Sequence, residues 1–118
     1  MAFLPDAGVG RWSCRALVSH LFDVEIVYAY RLRRVLAEDS PVFENFDEHA
    51  FLDSPLYGMT GRTEADEPIR MPIGAMVASI HTLRQTMAAA LYQLPPGDWR
   101  RRGMHPQRGA MTFRELLA

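Results

Sequence analysis

The chain has 118 residues, 48% of them hydrophobic and 23% charged, and a net charge of −1. That is the make-up of one folded domain with a modest core, and it excludes a disordered chain and a general polyanion binder. All 13 basic side chains are Arg; acidic residues surround the clusters Arg31, Arg33, Arg34 and Arg100, Arg101, Arg102, so these read as solvated faces, with no nucleic-acid partner.

The single Cys14 leaves no internal disulfide and suits a reducing compartment. No apolar run approaches the ~20 residues of a membrane span. The start, Met1 to Asp6, lacks the basic segment and apolar stretch of a secretion signal. A cytoplasmic protein without a membrane partner is expected.

In chain order, the first element is a helix over about residues 13–38. Gly8 and Gly10 precede Trp12, and Ser13 is the natural N-cap. Leu17, Leu21, Val24, Tyr28, Leu32 and Val35 then recur at helical spacing and form one apolar stripe. Ser40-Pro41 stops the helix, because the residue before a proline disfavours it. Cys14 falls in the first turn, where a small, half-buried structural cysteine is expected.

A long connection runs from Asp39 to Met71. Within it, Asp47 to Asp53 reads as a short helical turn with Phe46, Phe51 and Leu52 packing inward. Such a connection can cross the full length of a bundle, so the long helices on either side can lie parallel.

The second long helix is predicted over about 72–94, on the stripe Ile73, Met76, Ile80, Leu83, Met87, Leu91 and Leu94. Pro72 is tolerated in its first turn, and Pro95-Pro96-Gly97 ends it. Period-two alternation is missing, so no strand is predicted and Asp98 to Met111 reads as a loop. Thr112-Phe113-Arg114-Glu115 is a capping box that starts a further helix at about 113. Two apolar stripes do not close a core. A second copy, or helices lost at both ends of this chain, is therefore expected to cover them.

Glycine-rich phosphate loops, H-E-x-x-H, C-x-x-C and G-x-S-x-G are all missing. Four His remain. His20 lies on the shoulder of the first stripe, roughly 70–80° from its centre, followed by Asp23 and Glu25. A helical His with carboxylates nearby is a candidate metal ligand, with Asp23 and Glu25 as outer partners. Spacing alone favours an ordinary helix-edge histidine and leaves the ligand as the alternative. His81 faces solvent, and His49 and His105 sit in loops. No two His stand at helical clamp spacing, whereas a catalytic site usually needs three protein ligands. Met71, Met76 and Met87 read as bundle filler, and Trp12 and Trp99 as anchors for helix ends.

An ordered set of strings carries a family resemblance. It runs Gly10-Arg11-Trp12-Ser13, Ser19-His20-Leu21-Phe22-Asp23-Val24-Glu25, Tyr28-Ala29-Tyr30-Arg31-Leu32-Arg33 and Leu36-Ala37-Glu38-Asp39-Ser40-Pro41. Phe46-Asp47-Glu48, Leu94-Pro95-Pro96-Gly97-Asp98-Trp99 and Gly109 to Leu117 complete it. Together they resemble the DinB/YfiT-like superfamily of metalloenzymes, in its DinB_2-type members. The resemblance implies an all-α fold: a four-helix bundle with a long crossover connection, here lacking the first helix and most of the last. It implies a divalent metal, zinc or nickel, held by three His. The first of these matches His20, and the other two, an H-x-x-x-H pair, would follow beyond the Glu115-Leu116-Leu117 string. The box common at the family's Trp-Ser is here Ser13-Cys14-Arg15-Ala16, without its Glu.

The function so implied is a metal-dependent enzyme of the thiol S-transferase or hydrolase type. It would act on a small-molecule substrate, with a low-molecular-weight thiol as possible co-substrate. With two of three ligands missing, the 118-residue chain is expected to be inactive as it stands. The alternative is a non-catalytic helical binding or dimerisation module. Either way a homo-oligomer, in the first instance a dimer, is expected.

Overall fold

A computed structural model of the chain describes residues 13–57 and 71–117. Trp12, read above as an anchor, lies outside the described residues.

Helix α1 spans Cys14–Ala37. Ser13 caps it as expected, its Oγ accepting from the Ala16 N–H at 3.1 Å. At the far end the Arg101 guanidinium donates to the carbonyls of Val35 at 2.7 Å and Glu38 at 3.0 Å. A cation on the last carbonyls satisfies groups that a helix leaves unpaired and opposes its dipole. Ser40 then takes a left-handed φ of 47° before Pro41. Cys14, expected half-buried, is exposed.

Helix α2 is the short turn Glu48–Leu52, and its N-cap Asp47 accepts from the Ala50 N–H. Leu52 is buried and Phe46 half-buried, but Phe51 is 44% exposed, against the expectation that it packs inward. Adjacent helical positions stand about 100° apart, so a five-residue helix that buries 52 turns 51 away.

Helix α3 spans Ile73–Leu91. Its stripe residues Ile73, Ile80, Leu83, Met87 and Leu91 are half-covered; Met76 is buried and His81 exposed. The helix stops short of Leu94, and a single 3-10 turn, Pro96–Arg100, follows the proline pair.

The segment read as a loop holds a hairpin instead. Strands β1, Arg102–His105, and β2, Gly109–Thr112, pair antiparallel with His105 opposite Gly109. Three residues connect them and Gly109 sits at φ +73°, the left-handed position that such loops require. The hairpin extends onto the end of the α1 connection. Met104 accepts from the Phe43 N–H at 2.9 Å and donates to the Pro41 carbonyl at 2.8 Å. Strands as short as Arg-Gly-Met-His and Gly-Ala-Met-Thr carry no alternation to read, so pairing rather than pattern defines them.

Gly103 is needed for close approach. A Cβ built there would stand 2.5 Å from Cζ of Phe43 and 3.1 Å from Cγ2 of Val35. Helix α4, Phe113–Leu117, follows β2 directly. The predicted box is formed: Thr112 Oγ1 accepts from the Glu115 N–H at 3.2 Å, and Glu115 Oε1 accepts from the Thr112 N–H at 2.9 Å. The Thr112 N–H and then the Thr112 hydroxyl, both donating to Glu115 Oε1, hold that carboxyl below its usual range. A helix this short persists because Phe113 and Leu116 are buried, which supplies what propagation cannot.

The described residues fall into two compact units, one drawn from 1–25 and 47–82, the other from 26–46 and 83–118. In the first, Leu52, Tyr57 and Met76 form the core, with Val18, Phe22, Met71 and Ile73 against it. In the second, Leu32, Val35, Phe43, Met111, Phe113 and Leu116 form the core. Met87, Leu91, Leu94 and Trp99 pack on it. Trp99 meets Phe113 edge to face at 5.4 Å, so it anchors the start of α4. All three methionines read as filler pack against a core. Among the described residues, no helix is long and apolar enough to cross a membrane.

Candidate functional site

The first half of α1 buries polar residues where an ordinary helix would bury apolar ones. Ser19 is 0% and Asp23 6% exposed, while Leu21, which the stripe placed inside, is 45% exposed. Buried polar side chains against an exposed leucine are the informative inversion, because each buried polar group costs free energy unless it is paired. Position 23 stands about 60° from position 20 on a helix, so Asp23 shares a face with His20.

His20 is half-buried, its side chain 21% exposed. Glu48, the first residue of α2, brings its Oε2 to 3.5 Å from His20 Nδ1, an ion pair whenever the imidazole is protonated. Asp47, by capping α2, fixes where Glu48 begins.

Asp23 is held from elsewhere. The Tyr57 hydroxyl donates to its Oδ1 at 2.6 Å, and Oδ2 is buried with no hydrogen-bond donor among the described residues. Burial pushes the Asp23 carboxyl above its ordinary range; the Tyr57 hydrogen bond and the charge of His20 pull it back in part. Burial, then the bond to Asp23, raises the Tyr57 phenol well above its usual value, so it stays a donor. Ser19 lies against Met76 Sδ at 3.9 Å, a weak contact.

The remaining candidates lie elsewhere. Glu25 is half-buried, and five positions along a helix turn it about 140° from His20. His49 and His81 are exposed. His105 belongs to the hairpin, where its Nδ1 accepts from the Gln107 and Arg108 N–H groups. Partial burial, then the charges of Arg31 and Arg108, lowers its pKa.

Sequence reasoning singled out His20 and Asp23 as candidates and did not single out Glu48 or Tyr57, which the structure brings against them. Both arrive from the long connection, where no periodic pattern announces a side chain's direction. The capping aspartate ahead of Glu48 was the one available signal.

Among the described residues, no group of three or more His, Cys, Asp and Glu is placed to hold a metal ion. They supply one imidazole backed by a carboxylate, which fits part of a metal site and does not complete one.

Comparison with known proteins bears on the same residues. A curated protein of Oceanobacillus iheyensis, named a putative metal-dependent hydrolase, is 25% identical over 104 residues, covering 88% of this chain and 54% of the relative. The solved structure of YfiT from Bacillus subtilis superposes with a TM-score of 0.74 at 22% identity, over 99% of this chain and 59% of that one. YfiT is described as a probable metal-dependent hydrolase with an unusual four-helix bundle topology. The superposition establishes the helical fold class expected from the sequence, with the hairpin a minor addition. The chain thus spans between half and two thirds of the length of each of these relatives. The DinB superfamily model matches residues 5–118, which takes in α1 with His20, the connection with Glu48 and Tyr57, α3 and the capping box of α4. On that match the chain belongs to the DinB superfamily.

Proposed function

We propose that this chain forms part of a metal-dependent hydrolase or thiol S-transferase of DinB/YfiT type, acting on a small molecule, with His20 as one ligand of a divalent metal. The observation that carries the reading is the polar face of α1: His20 beside Glu48, with Asp23 buried one turn on. Two relatives described as metal-dependent hydrolases support it. Zinc or nickel, when bound, would acidify a water or a low-molecular-weight thiol into a nucleophile. Within the chain itself, His20 donates a lone pair, Glu48 orients the ring, and the Asp23–Tyr57 pair keeps a carboxylate in the wall of the site. Asp23 remains a proposed outer partner, with Glu48 added, whereas Glu25, turned about 140° from His20 along α1, does not. The described residues give one imidazole donor, so the chain alone has little activity unless a second copy completes the site in a homodimer. A cytoplasmic setting suits the single exposed thiol.

The test is size-exclusion chromatography with in-line elemental detection after loading with zinc or nickel. Metal on an oligomer, abolished by His20→Ala, supports the reading. Metal retained in His20→Ala, or a folded monomer that takes up none, sinks it.

One observation favours a second reading, a non-catalytic helical docking or dimerisation module. A cleft of about 410 Å³ opens along α1, lined by Ile26, Ala29, Tyr30, Arg33 and Leu83 among others, with Ile26 45% and Tyr30 61% exposed. On this reading Tyr30→Asp dissociates the oligomer, whereas His20→Ala leaves it assembled.

A further inference from the structure

Arg31 reads from the sequence as part of a solvated face, yet it is 6% exposed. Its hydrogen bond runs from Nη2 to the Glu44 carbonyl at 2.7 Å. The guanidinium also lies over the rings of Tyr28 at 5.5 Å and Phe43 at 5.4 Å. A carbonyl and two ring faces ease the burial of a cation but leave its charge unbalanced. No carboxylate among the described residues pairs with it, and Glu44 turns its own carboxylate to Arg34 at 3.5 Å.

The hairpin brings further donors to the same place. A Cβ at Gly103 would stand 3.1 Å from Val35 Cγ2, so that face of β1 looks onto α1. His105 lies two positions on and shares the face, while Arg31 lies one turn before Val35. Two strand residues advance about 6.6 Å and one helical turn about 5.4 Å, so His105 comes opposite Arg31. Partial burial, then the charges of Arg31 and Arg108, lowers the His105 pKa, as expected with both cations near the ring. His105 Nδ1 accepts from the backbone N–H groups of Gln107 at 3.1 Å and Arg108 at 3.2 Å. The proton of the neutral ring therefore sits on Nε2, which is a donor. Among the described residues nothing accepts from that donor or from the Arg108 guanidinium. Gln107 Nε2, 3.5 Å from Asn45 Oδ1, ties the turn to the connection that follows α1.

We propose that the hairpin turn and Arg31 form a binding site for a small, doubly charged oxyanion of phosphate type, held by the Arg31 and Arg108 guanidinium groups and the His105 ring. Two cations without a carboxylate call for two negative charges, and the planar fork of an arginine matches the oxygens of a phosphate. Arg31 is the buried floor, His105 the half-buried wall, and Arg108 the exposed lip through which the anion enters. None of these residues belongs to the His20 face, so the site stands apart from the metal reading.

The experiment is a nitrogen–proton titration of the full chain with inorganic phosphate, in metal-free buffer and at ionic strength held constant with sodium chloride. Sodium acetate is the singly charged control. Phosphate is expected to shift the Arg31 Nε–H and His105 ring signals saturably, and acetate to bind more weakly. Arg108→Gln, at an exposed turn, should melt as the wild type does and bind phosphate about tenfold more weakly, the scale of one charge-assisted hydrogen bond. Arg31→Met should keep the packing and abolish binding. Shifts that never saturate, acetate bound as tightly as phosphate, or affinity unchanged in Arg108→Gln overturns the proposal. If Arg31→Met fails to fold, the wild-type shifts decide: a saturable response that bypasses Arg31 and His105 overturns it equally.

Discussion

The Tyr57 hydroxyl reaches across 34 positions of sequence to donate a 2.6 Å hydrogen bond to Asp23 Oδ1, with both residues buried. The bond ties the connection to the helix that carries His20. It is also the only donor to the Asp23 carboxylate among the hydrogen bonds of the described residues, since Oδ2 has none.

Tyr57→Phe keeps the ring and deletes that donor. Removing one partner of a buried pair exposes the full desolvation cost of the other, about 1–3 kcal/mol and more when it is charged. The variant is expected to unfold in urea with a lower midpoint and an unchanged slope. A midpoint equal to wild type would show that the bond does not form in solution.

Asp23→Asn addresses the other half of the pair. Burial raises the folded carboxyl above its ordinary 3.8. In the window just above that value, the folded chain holds a proton that the unfolded chain has released. Stability therefore falls as pH rises through the window, and the penalty persists at neutral pH. Asn does not titrate, and its oxygen can still accept from Tyr57. The stability difference, Asn variant minus wild type, is expected to grow as pH rises from the ordinary carboxyl value and then level off. Denaturation curves at several pH values measure it, and a flat difference counts against the buried, ionised carboxylate.

Gly103→Ala should cost about 1–3 kcal/mol, the usual toll of forcing atoms into a packed core. Its new Cβ meets the Phe43 ring, itself only 3% exposed. Phe43→Leu in the same chain should recover part of the loss, giving a non-additive double-mutant cycle. Additive effects would mean that the two side chains do not meet.

Both long helices, the cap at Ser13 and the capping box at Thr112 were legible, because each rests on contacts within a few residues; the second helix ends at Leu91, ahead of the proline pair expected to stop it. The hairpin was not: its strands pair through backbone groups with Pro41 and Phe43, and Arg-Gly-Met-His advertises no strand. The stripe on the first half of α1 was misjudged at Leu21 for a related reason. What covers that half is the connection, with Tyr57 on Asp23, together with the start of α3, with Met76 on Ser19. His20 could be singled out from its string of neighbours, but the carboxylate that meets it could not. That meeting depends on where a turn 28 positions later comes to rest, and spacing does not encode it.

The clasp of Arg101 on the carbonyls of Val35 and Glu38 spans 66 and 63 positions. During synthesis α1 leaves the ribosome long before Arg101 exists, so its last turn must bond to water in the interval. Only when the hairpin segment emerges can that end be sealed and Phe43 be enclosed against Gly103. The second unit is thus assembled by its latest residues, and a ribosome stalled before Arg101 would display a nascent helix with a frayed end and a bare aromatic ring.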